Sequence, residues 1–388
     1  MRYWILLSAV IMQMCLGATY SWSVYVQPIK AMTGLLQGPA QIPFTVFYFV
    51  FPAMMMVSGK ILDRLGPRIC AVLGGIIFGM GWMTAGLGEI HFGFTVAGVG
   101  LMGGLGVGLA YIVPISVGIR WFPKNKGLVT GVAVAGFGGG AALVSQIGAG
   151  LMNRYALTPF AVLGIMGGVF LILIVLAGSR MKNPPESLSI QTDSMPLPEF
   201  VFQTRFRLLY LAMFTGLAAG FAVNANLKEL VLTRGLHTGV AAVSVFALAN
   251  ATGRIFWGWL CDHVLPSVAI RWNLLLQAGV LLCAPLILGS GKGLVMFACL
   301  TGLNYGGVLV IYAASTASLW GAHHVGRIYG MIFSANIPAA LSPILAGMVF
   351  DRTGSFVPAL TALAVLMGAA ALCVWKNKGR LKDERITQ

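Results

Sequence analysis

Charge is what this chain has least of. Of its 388 residues only 9% are Asp, Glu, Lys or Arg, and acids are the scarcest, 10 against 25 basic residues. An ordinary soluble domain carries roughly a quarter of its residues as charges, so a soluble enzyme is excluded. Metal-ligand spacing is missing too. The six cysteines (15, 70, 261, 283, 299 and 373) lie in or at the ends of apolar runs and read as small core residues, implying neither a disulfide framework nor a metal site. No Walker A sequence occurs, which leaves an ATP-driven pump without support. Clustered His, Asp or Glu within the apolar runs is also lacking. A membrane-embedded transferase or haem oxidoreductase would need such a cluster. No cofactor and no metal are expected.

What the chain has in abundance is long apolar sequence, 58% of the residues. Runs of roughly 20 residues recur along almost its whole length, the pattern of an all-α polytopic membrane protein. Twelve spans can be marked, at about 4–28, 40–62, 67–88, 93–119, 127–150, 156–178, 205–227, 239–261, 268–289, 293–318, 325–349 and 355–375. The first run, starting at Trp4, is too long for a signal h-region and is kept as a span. Between Ser179 and Thr204 the apolar pattern gives way to a Pro- and Ser-rich stretch, expected to be a cytoplasmic linker. The expected organisation is a six-helix bundle over 1–178, the linker 179–204, and a second six-helix bundle over 205–388 ending in a short basic tail. An internal repeat supports that division. SGKILDRLGPR (58–68) follows span 2 and WGWLCDHVLP (257–266) follows span 8, each with a glycine (Gly59, Gly258) four residues before an aspartate (Asp63, Asp262).

The formal charge of +15 would suggest nucleic acid in a soluble chain, but its distribution carries a different meaning. Eighteen of the 25 Lys and Arg residues fall on the side of the N terminus and six on the opposite side. This bias places both termini in the cytoplasm of a multi-pass protein of the plasma or inner membrane. The bilayer, and no nucleic acid, is the macroscopic partner. Every acid falls in a loop, a tail or a helix end.

One basic residue belongs to neither side. Arg254 lies in span 8, eight residues before Asp262, or about 12 Å into a ~30 Å hydrocarbon layer. Holding Arg at that depth costs on the order of 3 kcal/mol even on lenient scales, and such residues face a partner or a water-filled path. A structural arginine snorkelling to the interface would span only part of that distance. Asn250, four residues earlier, shares its helix face. With no acid placed near mid-membrane, the expected partner of Arg254 is an organic anion brought in as substrate.

The stretch Gly59 to Arg68, GKILDRLGPR, resembles the loop 2–3 signature of the major facilitator superfamily. More narrowly, TYSWSVYVQPI (19–29), DRLGPR (63–68), RWFPKNKGL (120–128) and the Arg254–Asp262 segment resemble the oxalate/formate antiporter family and its bacterial monocarboxylate relatives. The resemblance implies a major facilitator fold, twelve helices in two six-helix bundles, with a central site opening alternately to each side. Within it Arg254 matches the carboxylate-binding arginine. Tyr20, Tyr111 and Phe137 match aromatic site positions of the first half, and Tyr305 and Phe333 those of the second. Two departures carry chemistry. Oxalate carriers have a lysine in span 11 where this chain has Asn336, and animal proton-coupled carriers have an acid where it has Asn250. A buried dianion favours two cationic partners, whereas one planar guanidinium suits one carboxylate. The expected substrate is therefore a monocarboxylate of the lactate, pyruvate or formate type. An oxalate/formate-type exchanger is the alternative, and a membrane enzyme the rival from another class. The coupled partner is expected to be either protons or a counter-anion. Asp63, Arg64 and Asp262 are the expected cytoplasmic gate, each Asp meeting a helix N terminus or a basic residue across the bundle interface in one conformation. Gly98-Val99-Gly100-Leu101-Met102-Gly103 satisfies G-x-G-x-x-G, but lies inside a span and reads as close helix packing.

Overall fold

A computed structural model describes residues 2–185, 200–232 and 239–381. The middle of the linker, including Glu186, Asp193 and Glu199, lies outside the described residues, as do Arg234, His237 and the tail from Lys382. All regular structure among the described residues is helical. Nine helical stretches are long and apolar enough to cross a bilayer. One of them, Pro39–Glu89, crosses twice, because the helix Gln37–Ala85 turns sharply at Gly66. Gly66 has φ 79°, a conformation that side-chain-bearing residues resist, so the glycine of DRLGPR is where the chain reverses. Gly239–Cys261 and the 17-residue Pro266–Leu282 complete a set of twelve.

The chain divides into two compact units, 1–122 with 133–191 and 123–132 with 192–388. The head of the long helix Lys126–Tyr155 thus groups with the second unit and its remainder with the first. In the first unit, span 1 is two helices, Arg2–Leu16 and Ser23–Thr33, joined by a 3₁₀ turn at Gly17–Ser21. The joint falls where the Phe137 carbonyl occupies the space a side chain at Gly17 would need. Span 4 is irregular as well: a π-helix over Val96–Met102 carries the G-x-G-x-x-G match, and the helix breaks again at Tyr111. The match is helical, and Gly98 and Gly104 lie against the backbone at Gly81 and the side chain of Val50, respectively.

In the second unit, spans 8 and 10 (Gly239–Cys261 and Gly291–Trp320) form the most extensive helix pair. Their approach is closed by glycine. A side chain at Gly253 would strike the Leu303 carbonyl, and one at Gly306 the Asn250 carbonyl and the Arg254 amide. The backbone bearing Arg254 is therefore held directly against span 10. Span 11, marked at 325–349, is a helical stretch in three segments, Val325–Phe333, Asn336–Ala339 and Ser342–Thr353. Pro338 and Pro343 remove two backbone donors there, and the regular hydrogen bonding lapses twice. Span 7 reaches Leu232, further than the expected 227, and span 10 starts with a Ser290 cap accepting from the Gly293 N–H at 3.1 Å.

Candidate functional site

Span 8 supplies the charged part of the site. Phe246, Asn250 and Arg254 recur at four-residue spacing, so they share one helix face. The Arg254 Nε–H donates to Asn250 Oδ1 at 2.9 Å. This bond fixes the guanidinium stem along the helix face it shares with Asn250. Arg254 is only 4% exposed, and among the described residues it is the one buried Lys, Arg, Asp, Glu or His. Snorkelling to an interface is incompatible with that burial.

Tyr305 follows from the packing of spans 8 and 10. Its ring stacks against Phe246 at 6.0 Å and meets Phe221 of span 7 edge-on at 6.0 Å. Gly220 lets the ring lie flat on span 7, since a side chain there would enter it. On span 11 the breaks bring Phe333 and Asn336 inward, both buried. Asn336 Nδ2 donates to the Phe333 carbonyl at 2.8 Å. Phe333 itself leans on Tyr329 at 5.8 Å.

The first unit gathers its expected aromatics around one ring. Phe137 meets Tyr20 edge-on at 5.1 Å and Tyr111 edge-on at 5.3 Å. Tyr48 and Phe51 of span 2 extend the group, at 5.8 Å from Tyr20 and 5.3 Å from Tyr111. Neither is among the residues expected at the site. Their signal was available: Phe44, Tyr48 and Phe51 form a helical stripe inside the run FTVFYFVF. Gln13, also overlooked, is buried and donates to the Tyr111 carbonyl at 3.2 Å, tying span 1 to the break in span 4. The expected site residues thus fall into three local groups: Tyr20–Tyr111–Phe137, Asn250–Arg254 beside Tyr305, and Phe333–Asn336.

Asp262 ends span 8 and caps the helix Lys126–Tyr155. The Gly127 and Leu128 N–H groups donate to its Oδ1 and Oδ2 at 2.7 and 2.8 Å. Both bonds are charge-assisted and sit at the positive end of a helix dipole. The fit is close: side chains at Gly127 and Gly258 would each strike the other's carbonyl, and one at Gly131 would strike that of Arg254. Asp63 and Arg64 stand exposed just before the Gly66 turn, and the Asp63 charge acts on Arg120 at the end of span 4.

Two units of long apolar helices, each with its own buried polar and aromatic groups, have the make-up of a helical membrane protein. The model of the Major Facilitator Superfamily matches residues 6–338, and the chain belongs to that superfamily. It is a multi-pass transporter and not an enzyme. It is similar to the oxalate:formate antiporter of Oxalobacter formigenes, 25% identical over 87% of this chain and 82% of that protein. It is also similar to apicoplast pyruvate carrier 1 of Toxoplasma gondii, 26% identical over 74% of this chain and 65% of that one. Among solved structures, the major facilitator transporter FucP in its outward conformation superposes with a TM-score of 0.76. The superposition covers 97% of this chain and 98% of that one at 12% identity, a likeness of fold.

Proposed function

We propose that this chain is a secondary carrier of small monocarboxylate anions of the lactate, pyruvate or formate type. It would work by alternating access in the plasma or inner membrane, with both termini cytoplasmic. The observation that carries the reading is the burial of Arg254 with its stem fixed by Asn250. A guanidinium pre-oriented in this way offers two parallel N–H groups to one carboxylate. Asn250 orients that contact. The aromatics Tyr305, Phe333, Phe137, Tyr111 and Tyr20 enclose a short apolar body, and Asn336 supplies neutral amide groups to its polar end. An arriving carboxylate offsets the buried charge, so the loaded site is the easier one to occlude. That ordering favours exchange against a counter-anion, or movement gated by substrate, over a proton relay. Asp63, Arg64 and Asp262 act as the cytoplasmic gate, with the Asp262 cap as its closed contact.

A second reading, exchange of oxalate with formate, has support from the Oxalobacter formigenes relative. Uptake into liposomes by the purified protein separates the two. Competition by lactate or pyruvate with indifference to oxalate is the expected result; strong inhibition by oxalate would select the second reading. Arg254→Ala is expected to lower uptake by more than about 100-fold, the loss of a charge-assisted two-point contact of about 3 kcal/mol. Its elution profile and thermal midpoint should stay those of the parent, because the substitution removes a buried charge. Uptake retained by this variant would refute the site.

A further inference from the structure

Spans 8, 9 and 10 hold a second set of buried polar side chains that the anion reading does not use. It is built from Asn273 and Gln277 of span 9, Asn304 of span 10 and Trp257 of span 8. Asn273 Nδ2 donates to the Asn304 carbonyl at 2.9 Å, pinning span 10 one residue before Tyr305. A side chain at Gly307 would touch both the Cδ1 edge of Trp257 and Asn273 Nδ2, so these groups meet over the same glycine. Cδ1 is bonded to Nε1, which places the indole N–H at that meeting point. Asn304 Nδ2 donates back to the Leu300 carbonyl at 3.1 Å, turning its amide along span 10. Spans 9 and 10 run antiparallel, so this direction is that of Gln277, which lies one turn beyond Asn273 on the same face.

Four polar atoms in this group have no hydrogen-bonding partner among the described residues: Gln277 Oε1, Gln277 Nε2, Asn304 Oδ1 and Trp257 Nε1. Their side chains are 3%, 4% and 1% exposed for Gln277, Asn304 and Trp257. Gln277 lies about 16 Å along its helix from Pro266, near the bilayer centre, where bulk water does not reach. The inventory is balanced, two acceptors and two donors, none carrying a formal charge. Balanced neutral donors and acceptors suit a ligand that both donates and accepts, and a water molecule typically makes about three such bonds. A carboxylate, an acceptor only, would leave the two acceptors unsatisfied.

We infer that spans 8, 9 and 10 enclose an internal water site, with one or two ordered waters joining Gln277, Asn304 and the Trp257 indole. Its role is to hold the Asn304–Tyr305 stretch of span 10 against span 8. The inference goes beyond the anion reading and stands or falls separately from it.

Hydroxyl-radical footprinting tests it, because radiolysis of a bound water labels the side chains touching it. The full-length protein in lipid nanodiscs is exposed to a synchrotron pulse and mapped by mass spectrometry. Trp22 is the control, equally buried at 1% but with its indole N–H already donating to the Ala40 carbonyl at 3.2 Å. Trp257 is expected to oxidise at least fivefold faster than Trp22, and Gln277→Leu is expected to remove most of that excess. Trp257 labelling as slow as that of Trp22 would overturn the site. So would an unchanged Trp257 rate in a folded Gln277→Leu protein. Should Gln277→Leu fail to elute as a single species, Gln277→Met and the parent comparison decide alone. Arg254→Ala should leave the Trp257 rate unchanged, which keeps failure of the anion site distinct from failure of the water site.

Discussion

On the proposed function, the buried Arg254 guanidinium is a specificity device as much as a binding group. Its single charge would then match one carboxylate. Asn336 is the residue at which that count can be changed. It is buried and spends its Nδ2 on the Phe333 carbonyl. Asn336→Lys would add a second cation in the aligned position and is expected to shift competition toward oxalate and other C2–C4 dicarboxylates. The check is an inhibition series with mono- and dicarboxylates on liposome uptake by parent and variant. An unchanged order of inhibitors would break the link between charge count and substrate class.

At the scale of elements, span 8 carries both proposed tasks, anion contact and gate, on one helix. Arg254 and Asp262 lie eight residues apart, about 12 Å along the axis. Asp262 ties this helix to the head of Lys126–Tyr155 through two charge-assisted bonds, and the glycines at 127, 131 and 258 let the backbones touch. Removing the charge while keeping the shape should loosen that contact without unfolding the chain. Asp262→Asn loses roughly 1–2 kcal/mol of capping, equivalent to about a five- to thirtyfold rise in the opened population. Cys261, half-buried beside Gly127, is a native reporter. Its labelling by a polar maleimide, followed by peptide mass, should accelerate by that factor in Asp262→Asn. Labelling at the parent rate would show that the cap does not hold the gate.

For the whole molecule, the distribution of charge bears on energetics. Acids lie in loops, tails and helix ends, and no Lys, Asp, Glu or His is buried among the described residues. In this layout the carboxylate of span 8 is Asp262 at its end, and none lies beside Arg254 on the helix to relay a proton. Reconstituted protein is therefore expected to accumulate labelled substrate when an unlabelled anion is loaded on the far side, and to respond weakly to a pH gradient alone. Imposing the two gradients separately measures this. Strong uptake on a pH gradient without trans anion would replace exchange by proton symport.

Much of this was legible along the chain. Apolar span length, the depth of Arg254 and the face it shares with Asn250 depend on local spacing and on the contrast between water and hydrocarbon, so they can be read in one dimension. The helical stripe Phe44–Tyr48–Phe51 was legible in the same way, although aromatic residues packed so densely hide any single one. The sequence by itself therefore determined a polytopic helical carrier with a buried cation in its eighth span. Tertiary structure alone decided which groups meet. The Asp262 cap joins residues 135 and 134 apart in the chain, and the Asn273–Asn304 bond depends on how two antiparallel helices are rotated. Such contacts are set by glycine-permitted approach and by irregular turns such as the π-helix of span 4 and the breaks of span 11. Each shifts side-chain direction for the rest of its helix, and no periodicity along the sequence records the shift.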